Sequence, residues 1–529
     1  MPPDPVDPPA SPDRRKLLLA GGYVAANVAA LAKLGRRGGP RQDSRVRTSG
    51  SPEDPRGSAT DGTTAPPRPR APALDDAPPQ PAGDHRYAVV LRGGRVMDPD
   101  TRYDQVADVG IDGNSITAIS AEPLQGAQVI DVRGKVVAPG FIDLLSYEPE
   151  DKGAFFKIAD GVTTNLGMHG INARSKDFIA RFSGTCAVNF GGAFDDPWVR
   201  NTMFGLEVGQ QASPDTIRAL ADECARQLDE GWIGVDMEPE YVPGTTMAEM
   251  VALAKVAKSY EVPCFFHGRF SGYRQNRPTL EEIVNVAKET GAAVHVEHII
   301  STGGTWDMRW SLDYLQKARD SGYDVTACMY PYDFWATYLG STRFGPGWQE
   351  RFRIGYGDLQ VAGTDARVTE ATFRSYQRQN KLVAAYAIPE QDVRTCLQDP
   401  TVMIGSDAIL TDGNDHPRAT GCFSRTLGRY VRETGTISLM DALRKMTILP
   451  ANRLERRVPA LRRKGRLQRG ADADITVFDP ATVLDRSTVA NPAQASQGID
   501  YVLIGGTVVK TPAGVDESKQ VGQPITGSF

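Results

Sequence analysis

The sequence predicts a closed (β/α)8 barrel of the TIM type, joined to a small β-sandwich domain formed from both ends of the globular region. Eight short apolar runs alternate with helical stretches between about residues 137 and 455. Turn-rich segments with strand-like alternation lie on both sides of this region. Strands that alternate with helices pair in parallel, and eight such units close into a barrel.

The chain begins with a segment that this fold does not need. Residues 1–34 contain the pair Arg14 and Arg15 and then an apolar run, a pattern that resembles a twin-arginine export signal. The run is too short and too rich in Gly and Ala for a stable membrane span. Export is therefore expected. The alternative is a cytoplasmic enzyme whose start codon has been assigned too far upstream. Residues 35–86 are rich in Pro, Arg and Gly and predict a disordered linker.

The β domain is expected from residues 87–136 and 456–529. The first part contains "YAVVLRGGRVMDP", and the second contains "GADADITVFDPATV" and "GIDYVLIGGTVV". Both parts alternate apolar and polar residues between turn residues, as short strands do. Two distant strand groups of one type indicate a single domain around an inserted barrel.

The barrel is expected over residues 137–455. The predicted strands, in chain order, are "KVVAPGFIDL", "GVTTNLGM", "GTCAVNFGG", "GWIGVDME", "VPCFFHGR", "AAVHVEHI", "YDVTACMYP" and "TVMIGSDA". Amphipathic segments such as "TLEEIVNVAKETG" lie between them. Barrels of this kind carry their chemistry at the carboxyl ends of the strands.

Composition restricts the function. The net charge of −5, with no basic stripe that contains aromatic residues, excludes a nucleic-acid partner and leaves a small molecule. The six cysteines are scattered without a CxxC pair, which argues against a disulfide framework or a cysteine-rich zinc site. Any nitrogen ligands must come from only six histidines.

Three of these histidines and one aspartate fall at predicted strand ends. His169 ends strand two, His267 strand five, His298 strand six and Asp407 strand eight. Three protein ligands with a fourth position for water are typical of catalytic zinc. The pattern predicts one Zn²⁺ per chain, with Asp407 as the base that moves the proton of the attacking water.

The other histidines have weaker assignments. His295 lies three residues before His298, so strand alternation predicts that it faces the opposite side and packs between barrel and helices. His416, in the loop after strand eight, is a candidate substrate contact, with a solvated loop histidine as the alternative.

The motifs "VLRGGRVMDP", "VAPGFID", "GVTT", "EYVPG", "DVTACMYPY", "IGSDA" and "HPRATGCFSRTLGRYVRE" together resemble the amidohydrolase superfamily, most closely its N-acyl-D-amino-acid deacylase branch. The resemblance implies that a working zinc is held by the residue ending strand two, usually Cys, and by the histidines ending strands five and six. These positions are His169, His267 and His298 here, and the implied catalytic base is Asp407.

The chain departs from this family at a second metal position. The family has a His-x-His pair after "GFID", belonging to a site that is often weakly occupied or vacant, and Leu145 and Tyr147 stand there instead. Strand four offers no lysine that could be carbamylated to bridge two metals. We therefore expect a mononuclear enzyme.

A second departure concerns the substrate. The family usually follows the strand-six histidine with Leu-Lys, whose lysine meets the substrate carboxylate, but Ile299 and Ile300 stand there. Arg269 and Arg418 are the candidate replacements, with a structural ion pair as the alternative for each. The candidate residues for the remaining roles are Tyr330, which would hydrogen-bond the substrate carboxylate or the oxyanion, and Glu240, which would hold a ligand histidine.

The leading prediction is a metal-dependent hydrolase of the N-acyl amide of an amino acid, of D configuration as the resemblance implies, or of a related amide. One alternative is a cyclic-amide hydrolase of the hydantoinase or dihydroorotase kind. Another is a metal-free barrel used for binding. The long aromatic segment that follows strand seven, residues 333–363, is predicted to cover the pocket.

Overall fold

The computed structural model describes residues 71–411 and 415–529. The predicted export signal and the linker as far as residue 70 lie outside these residues. Among the described helices, none combines the length and the apolar character needed to cross a bilayer.

The small domain is built around one 9-stranded sheet that takes strands from both ends of the globular region. This confirms the prediction of a single β domain around an inserted barrel. Its strands are Arg86–Asp98, Tyr103–Asp112, Ser115–Ser120, Gln125–Asp131, Val136–Pro139, Ile475–Phe478, Ile499–Ile504, Thr507–Thr511 and Gly514–Val515. The two groups join where Val136–Pro139 pairs with Ile475–Phe478 in antiparallel register.

Residues 71–86 are not linker, although they were predicted to be. The backbone N–H of Leu74 donates to the carbonyl of Arg469 at 2.9 Å. Ala71 and Leu74 pack against the apolar core of the small domain. These few apolar residues are enough to fix the segment, and a Pro-rich composition alone did not reveal them.

The predicted barrel is confirmed. Its eight strands are Phe141–Asp143, Val162–Gly167, Asn189–Gly192, Val235–Met237, Cys264–Phe266, Val294–Val296, Val325–Met329 and Val402–Ile404. A short piece, Phe194–Asp195, continues strand three and pairs with strand four. All these pairs are parallel, and the ring closes where the Asp407 N–H donates to the Leu145 carbonyl at 2.7 Å.

Strand one differs from its prediction. The run "KVVAPGFIDL" divides at Gly140: Val136–Pro139 belongs to the small domain, and only Phe141–Asp143 belongs to the barrel. A Cβ atom at Gly140 would overlap the Thr163 side chain, so glycine is needed where the chain passes between the domains.

The helices alternate with the strands as expected. They are Asp151–Ala159, Ser175–Phe182, Asp196–Phe204, Pro214–Asp229, Met247–Tyr260, Asn276–Thr290, Ile299–Thr302, Met308–Asp320, Trp348–Phe352, Glu370–Arg378, Glu390–Gln398, Arg418–Arg425, a π-helical turn Thr426–Glu433, Leu439–Met446 and Ile448–Leu454, with 3-10 turns at Thr342–Phe344, Tyr356–Asp358 and Pro459–Arg463. Local sequence explains their starts. Ser213, for example, accepts from the Thr216 N–H, and Pro214 occupies the first helical position.

The segment after strand seven forms a small sheet of its own from Trp335–Tyr338, Leu359–Val361 and Leu382–Ala385. A short turn within it carries Arg343 to the carboxyl end of the barrel, where its Nη2 donates to the Ser301 carbonyl at 3.1 Å.

The orientation of His295 differs from the prediction that it packs between the barrel and the helices. Its ring packs against Phe265, which belongs to the apolar cluster inside the barrel, and its Nδ1 lies 2.7 Å from Thr326 Oγ1. His295 therefore faces the barrel interior and not the helices. The prediction counted alternation back from His298, but the strand ends at Val296, and His298 has φ 25°.

Candidate metal centre and active site

Four predicted site residues meet at the carboxyl end of the barrel. His169 follows strand two, His267 strand five, His298 strand six and Asp407 strand eight. All four side chains are buried. Strands of a parallel barrel end on the same face, so residues far apart in the sequence come together there.

His267 and His298 form the centre of the group. His267 Nδ1 lies 3.1 Å from His298 Nε2, and the other ring nitrogen of His267 lies 2.9 Å from Glu240 Oε2. When His267 donates to Glu240, its Nδ1 lone pair faces His298. Two nitrogen ligands on a tetrahedral zinc are about 3.3 Å apart, so this pair has the spacing of metal ligands.

The protonation of the pair also suits a metal. Burial holds the pKa of His267 and of His298 well below the usual range of histidine. Both rings are therefore neutral near pH 7 and can offer lone pairs to a cation.

His169 stands among carboxylates. Its Nδ1 lies 3.0 Å from Glu297 Oε2, and its Nε2 lies 3.6 Å from Glu238 Oε2. Burial lowers the pKa of His169, but the negative charges of Glu238 and Glu297 outweigh burial and raise it to about 10. A metal that binds here must displace a proton from His169.

Glu297, which the sequence analysis did not single out, joins the three predicted histidines in a set of four possible metal ligands. Single ligand atoms of His169, His267, Glu297 and His298 all lie within 4.8 Å of one another. Glu297 Oε1 is buried without a hydrogen-bond partner in the described part of the chain. Three imidazoles and one carboxylate are ligands that zinc accepts, so the residues fit a divalent metal.

Asp407 lies beside this donor set. Its Oδ2 is 3.8 Å from His298 Nε2 and 2.7 Å from Arg418 Nη2, and its Oδ1 accepts from the Tyr147 hydroxyl at 3.2 Å. Its backbone has φ 50°, a conformation that non-glycine residues rarely adopt and that often marks a functional site.

The residues that replace the family's His-x-His pair support this aspartate. The Leu145 carbonyl binds the Asp407 N–H, and the Tyr147 hydroxyl binds its carboxylate. The Tyr147 ring also contacts His169 edge-on, with centroids 5.4 Å apart. The two positions thus hold Asp407 and His169 in place.

Comparison with known proteins decides the family. Residues 361–510 match the model of the Amidohydrolase family. The chain is 31% identical to the N-acyl-D-glutamate deacylase of Alcaligenes xylosoxydans xylosoxydans over 80% of this chain and 93% of that protein. It is 28% identical to the D-aminoacylase of the same organism over 80% of this chain and 94% of that protein.

The chain belongs to the N-acyl-D-amino-acid deacylase family of amidohydrolases. The solved N-acyl-D-glutamate deacylase of Bordetella bronchiseptica, in complex with zinc and a phosphonate inhibitor, superposes with a TM-score of 0.73 at 25% identity, covering 84% of this chain and 100% of that one. The predicted family and barrel fold are confirmed. The enzyme class, a hydrolase of carbon–nitrogen bonds other than peptide bonds, is confirmed with them, and neither the cyclic-amide nor the metal-free alternative is favoured.

A buried ion pair that the sequence did not predict fixes the backbone around Asp407. Lys157 Nζ contacts Asp143 Oδ2 at 2.6 Å, Ser406 Oγ at 2.6 Å and the Ala408 carbonyl at 2.7 Å. Asp143 also accepts from the Ser406 N–H at 2.9 Å. Lys157 therefore holds the residues on both sides of Asp407.

Arg418 and Tyr330 lie against each other beside Asp407. The Arg418 guanidinium carbon lies 4.2 Å from the centre of the Tyr330 ring. Arg418 Nη1 and the Tyr330 hydroxyl are buried and have no hydrogen-bond partner among the described residues. Burial raises the pKa of Tyr330, so the hydroxyl stays protonated and can donate.

Arg269 is occupied elsewhere. Its Nε contacts both oxygens of Glu282 at 2.8 and 3.0 Å, and its Nη2 donates to the Thr245 carbonyl at 2.6 Å. Arg269 therefore forms a structural ion pair, which was the alternative expected for this residue.

His416 also lacks a free nitrogen. Its Nε2 contacts the Phe334 carbonyl at 3.0 Å, and its Nδ1 accepts from the Arg418 N–H at 3.0 Å. The ring stacks on Phe334 with centroids 4.4 Å apart. His416 is therefore placed to position Arg418 rather than to contact substrate.

Arg343 is a further cation that the sequence did not single out. It is buried, its guanidinium carbon lies 4.0 Å from the centre of the Trp335 ring, and its Nε lies 3.8 Å from Glu240 Oε2. It offsets the charge of the carboxylate that holds His267.

Proposed function

We propose that this protein hydrolyses N-acyl-D-amino acids to a free carboxylic acid and a D-amino acid, with one tightly bound zinc at His169, His267 and His298 that leaves a fourth position for water. The observation that carries the proposal is the convergence of these side chains with Asp407, 3.8 Å from His298, in a chain of the deacylase family. The zinc in the related Bordetella structure supports the choice of metal.

A zinc at this position would supply a water of lowered pKa and would polarise the acyl carbonyl. Asp407 accepts the proton of the water as the water attacks the acyl carbon. It then passes that proton to the amide nitrogen as the carbon–nitrogen bond breaks. The proton therefore ends on the amine, and the hydroxyl oxygen ends in the released carboxylate.

Tyr330 and Arg418 are assigned to the substrate. The free Tyr330 hydroxyl donates to the carbonyl oxygen as it gains negative charge. Arg418 keeps its Nη2 on Asp407 and offers its unpartnered Nη1 to the carboxylate of the amino acid. Arg418 thus takes over the task of the lysine that Ile300 replaces in the family pattern.

The test is hydrolysis of matched N-acetyl-D-amino acids, N-acetyl-L-amino acids and N-acetyl-D-amino acid amides by purified protein. The proposal expects release of amino acid from the D-acids, with a higher KM for the amides, which lack the carboxylate. The Arg418→Met variant should lose this preference, whereas Arg269→Met, whose donors are used within the protein, should keep it. Ring opening of cyclic amides without release of acyl groups would overturn the proposal.

A further inference from the structure

His298 lies in an unusual stretch of backbone at the end of barrel strand six. The strand Val294–Val296 ends before it, its φ is 25°, and the short helix Ile299–Thr302 begins directly after it. Residues other than glycine keep such a conformation only where the surrounding contacts fix it. The contacts of His298 therefore show how its ring is held.

The backbone of His298 is fixed on both sides of the residue. Its N–H donates to Cys328 Sγ at 3.4 Å. Its carbonyl accepts from the Ser301 N–H at 2.8 Å and from Ser301 Oγ at 3.2 Å. All three residues are buried, so the orientation of the imidazole depends on the contacts of its two ring nitrogens.

The two nitrogens of His298 face different partners. Nε2 lies 3.1 Å from His267 Nδ1 and 3.8 Å from Asp407 Oδ2, on the side of the candidate metal ligands. Nδ1 lies 3.4 Å from Oγ1 of Thr302, a fully buried residue on the next turn. A neutral imidazole carries its proton on one nitrogen and a lone pair on the other, so the role of the Thr302 hydroxyl decides the tautomer.

The single proton of the Thr302 hydroxyl is used elsewhere. Thr302 Oγ1 donates to the Glu297 carbonyl at 3.1 Å. Because a carbonyl oxygen can only accept, the hydroxyl oxygen of Thr302 meets His298 as an acceptor. The proton of His298 is then on Nδ1, and the lone pair on Nε2 faces His267.

We propose that Thr302 is a positioning residue of the zinc site, which fixes His298 in the tautomer that offers Nε2 to the metal. Glu240 has the converse effect on His267, because it holds the Nε2 of that ring at 2.9 Å. The two imidazoles then direct lone pairs at each other across 3.1 Å, an arrangement that a shared cation stabilises. The inference rests on the zinc site of the proposed function, but not on the substrate.

The test is zinc affinity, measured by competition with a chelator, in purified variants. Thr302→Val removes the acceptor and should weaken zinc binding by about 10–100-fold, as the loss of a group that orients a ligand histidine does. Thr302→Ser keeps the hydroxyl and should bind zinc as tightly as the wild type.

Thr305→Val is the matched control. Thr305 is also buried, and its hydroxyl donates to the Ile300 carbonyl of the same turn at 2.7 Å. In the described part of the chain, no hydrogen bond joins this hydroxyl to a histidine. Thr305→Val should therefore lose a comparable bond to the backbone and keep the zinc affinity of the wild type.

Nuclear magnetic resonance of zinc-loaded protein with isotope-labelled histidine gives a second readout, which needs no variant. The chain has only six histidines, so their ring nitrogens give few signals. His298 should carry its proton on Nδ1, and His267 should carry its proton on Nε2. This spectrum decides by itself if Thr302→Val does not fold.

The proposal is overturned if Thr302→Val binds zinc as tightly as the wild type, if Thr305→Val weakens binding equally, or if the proton of His298 is found on Nε2. A wild type that binds no zinc would overturn both this inference and the proposed function. A wild type that binds zinc tightly but releases no amino acid would refute only the deacylase activity, and the role of Thr302 would stand.

Discussion

The buried ion pair between Lys157 and Asp143 allows a quantitative prediction. Lys157 is 1% exposed and Asp143 is fully buried. The Lys157→Met variant leaves the carboxylate of Asp143 charged and unpaired, which costs about 3–5 kcal/mol of unfolding free energy. In the double variant, Lys157→Met with Asp143→Asn, neither charge of the pair remains, and the amide oxygen introduced at position 143 can still accept from the Ser406 N–H.

The double variant should therefore be more stable than the single one. It still loses the Lys157 hydrogen bonds to Ser406 Oγ and the Ala408 carbonyl, which are worth about 1 kcal/mol each. The difference predicts a recovery of about 1–3 kcal/mol relative to Lys157→Met. The turnover number should fall in both variants, because Ser406 and Ala408 flank Asp407.

Urea unfolding followed by circular dichroism measures these differences. Lys445→Met is the matched control, since Lys445 is buried and its hydrogen bonds within the described residues go to the carbonyls of Asp399 and Val402, so its loss orphans no carboxylate there. Its loss should be about 2 kcal/mol. The reasoning is refuted if the double variant is less stable than Lys157→Met, or if Lys157→Met is no less stable than Lys445→Met.

Three further predictions concern the catalytic centre. Asp407→Asn should lower kcat by about 10²–10⁴-fold while zinc content stays unchanged, and a variant that keeps full activity would remove Asp407 from the mechanism. Glu240→Gln should weaken zinc binding by about 10–100-fold in a chelator competition, because His267 loses the carboxylate that orients it; unchanged affinity would contradict that role. Zinc affinity should rise by about tenfold per pH unit between pH 7 and 9. The reason is that His169, whose pKa is raised to about 10, is protonated in this range and must lose its proton when zinc binds. In metal-free protein, the stability contributed by His169 is fully present below its unfolded pKa of about 6.5 and is lost as the pH rises through about 10. A pH-independent affinity would contradict this protonation state.

Strand ends were the part of the site that the sequence could predict. His169, His267, His298 and Asp407 each follow a recognisable apolar run, and barrel geometry brings such positions together. The residues that hydrogen-bond these side chains were harder to predict, because they come from elements whose side-chain directions the sequence does not specify. Glu240, which was expected to hold a ligand histidine, lies 2.9 Å from His267.

Glu297 shows the limit of alternation. It precedes His298 directly, so a continued strand would place the two side chains on opposite faces. The strand ends at Val296, and the positive φ of His298 turns both side chains toward His169 and His267. A local backbone conformation of this kind is set by tertiary contacts and has no signature in the residue pattern.

Arg269 shows a different limit. It follows a predicted ligand, so proximity in sequence favoured a role in the site. Glu282 on the next helix takes its Nε–H, and two backbone carbonyls each take one N–H of Nη1 and Nη2. Whether an arginine is free or paired depends on such distant partners, and only the folded structure reveals them.

The most direct test of the proposed mechanism is zinc content measured together with hydrolysis of N-acetyl-D-amino acids, in the wild type and in His298→Ala. The account predicts about one zinc per chain after dialysis in the active wild type, and loss of both zinc and activity in the variant. Retention of activity by a His298→Ala protein that holds no zinc would contradict it, and so would a wild type that hydrolyses these substrates without metal.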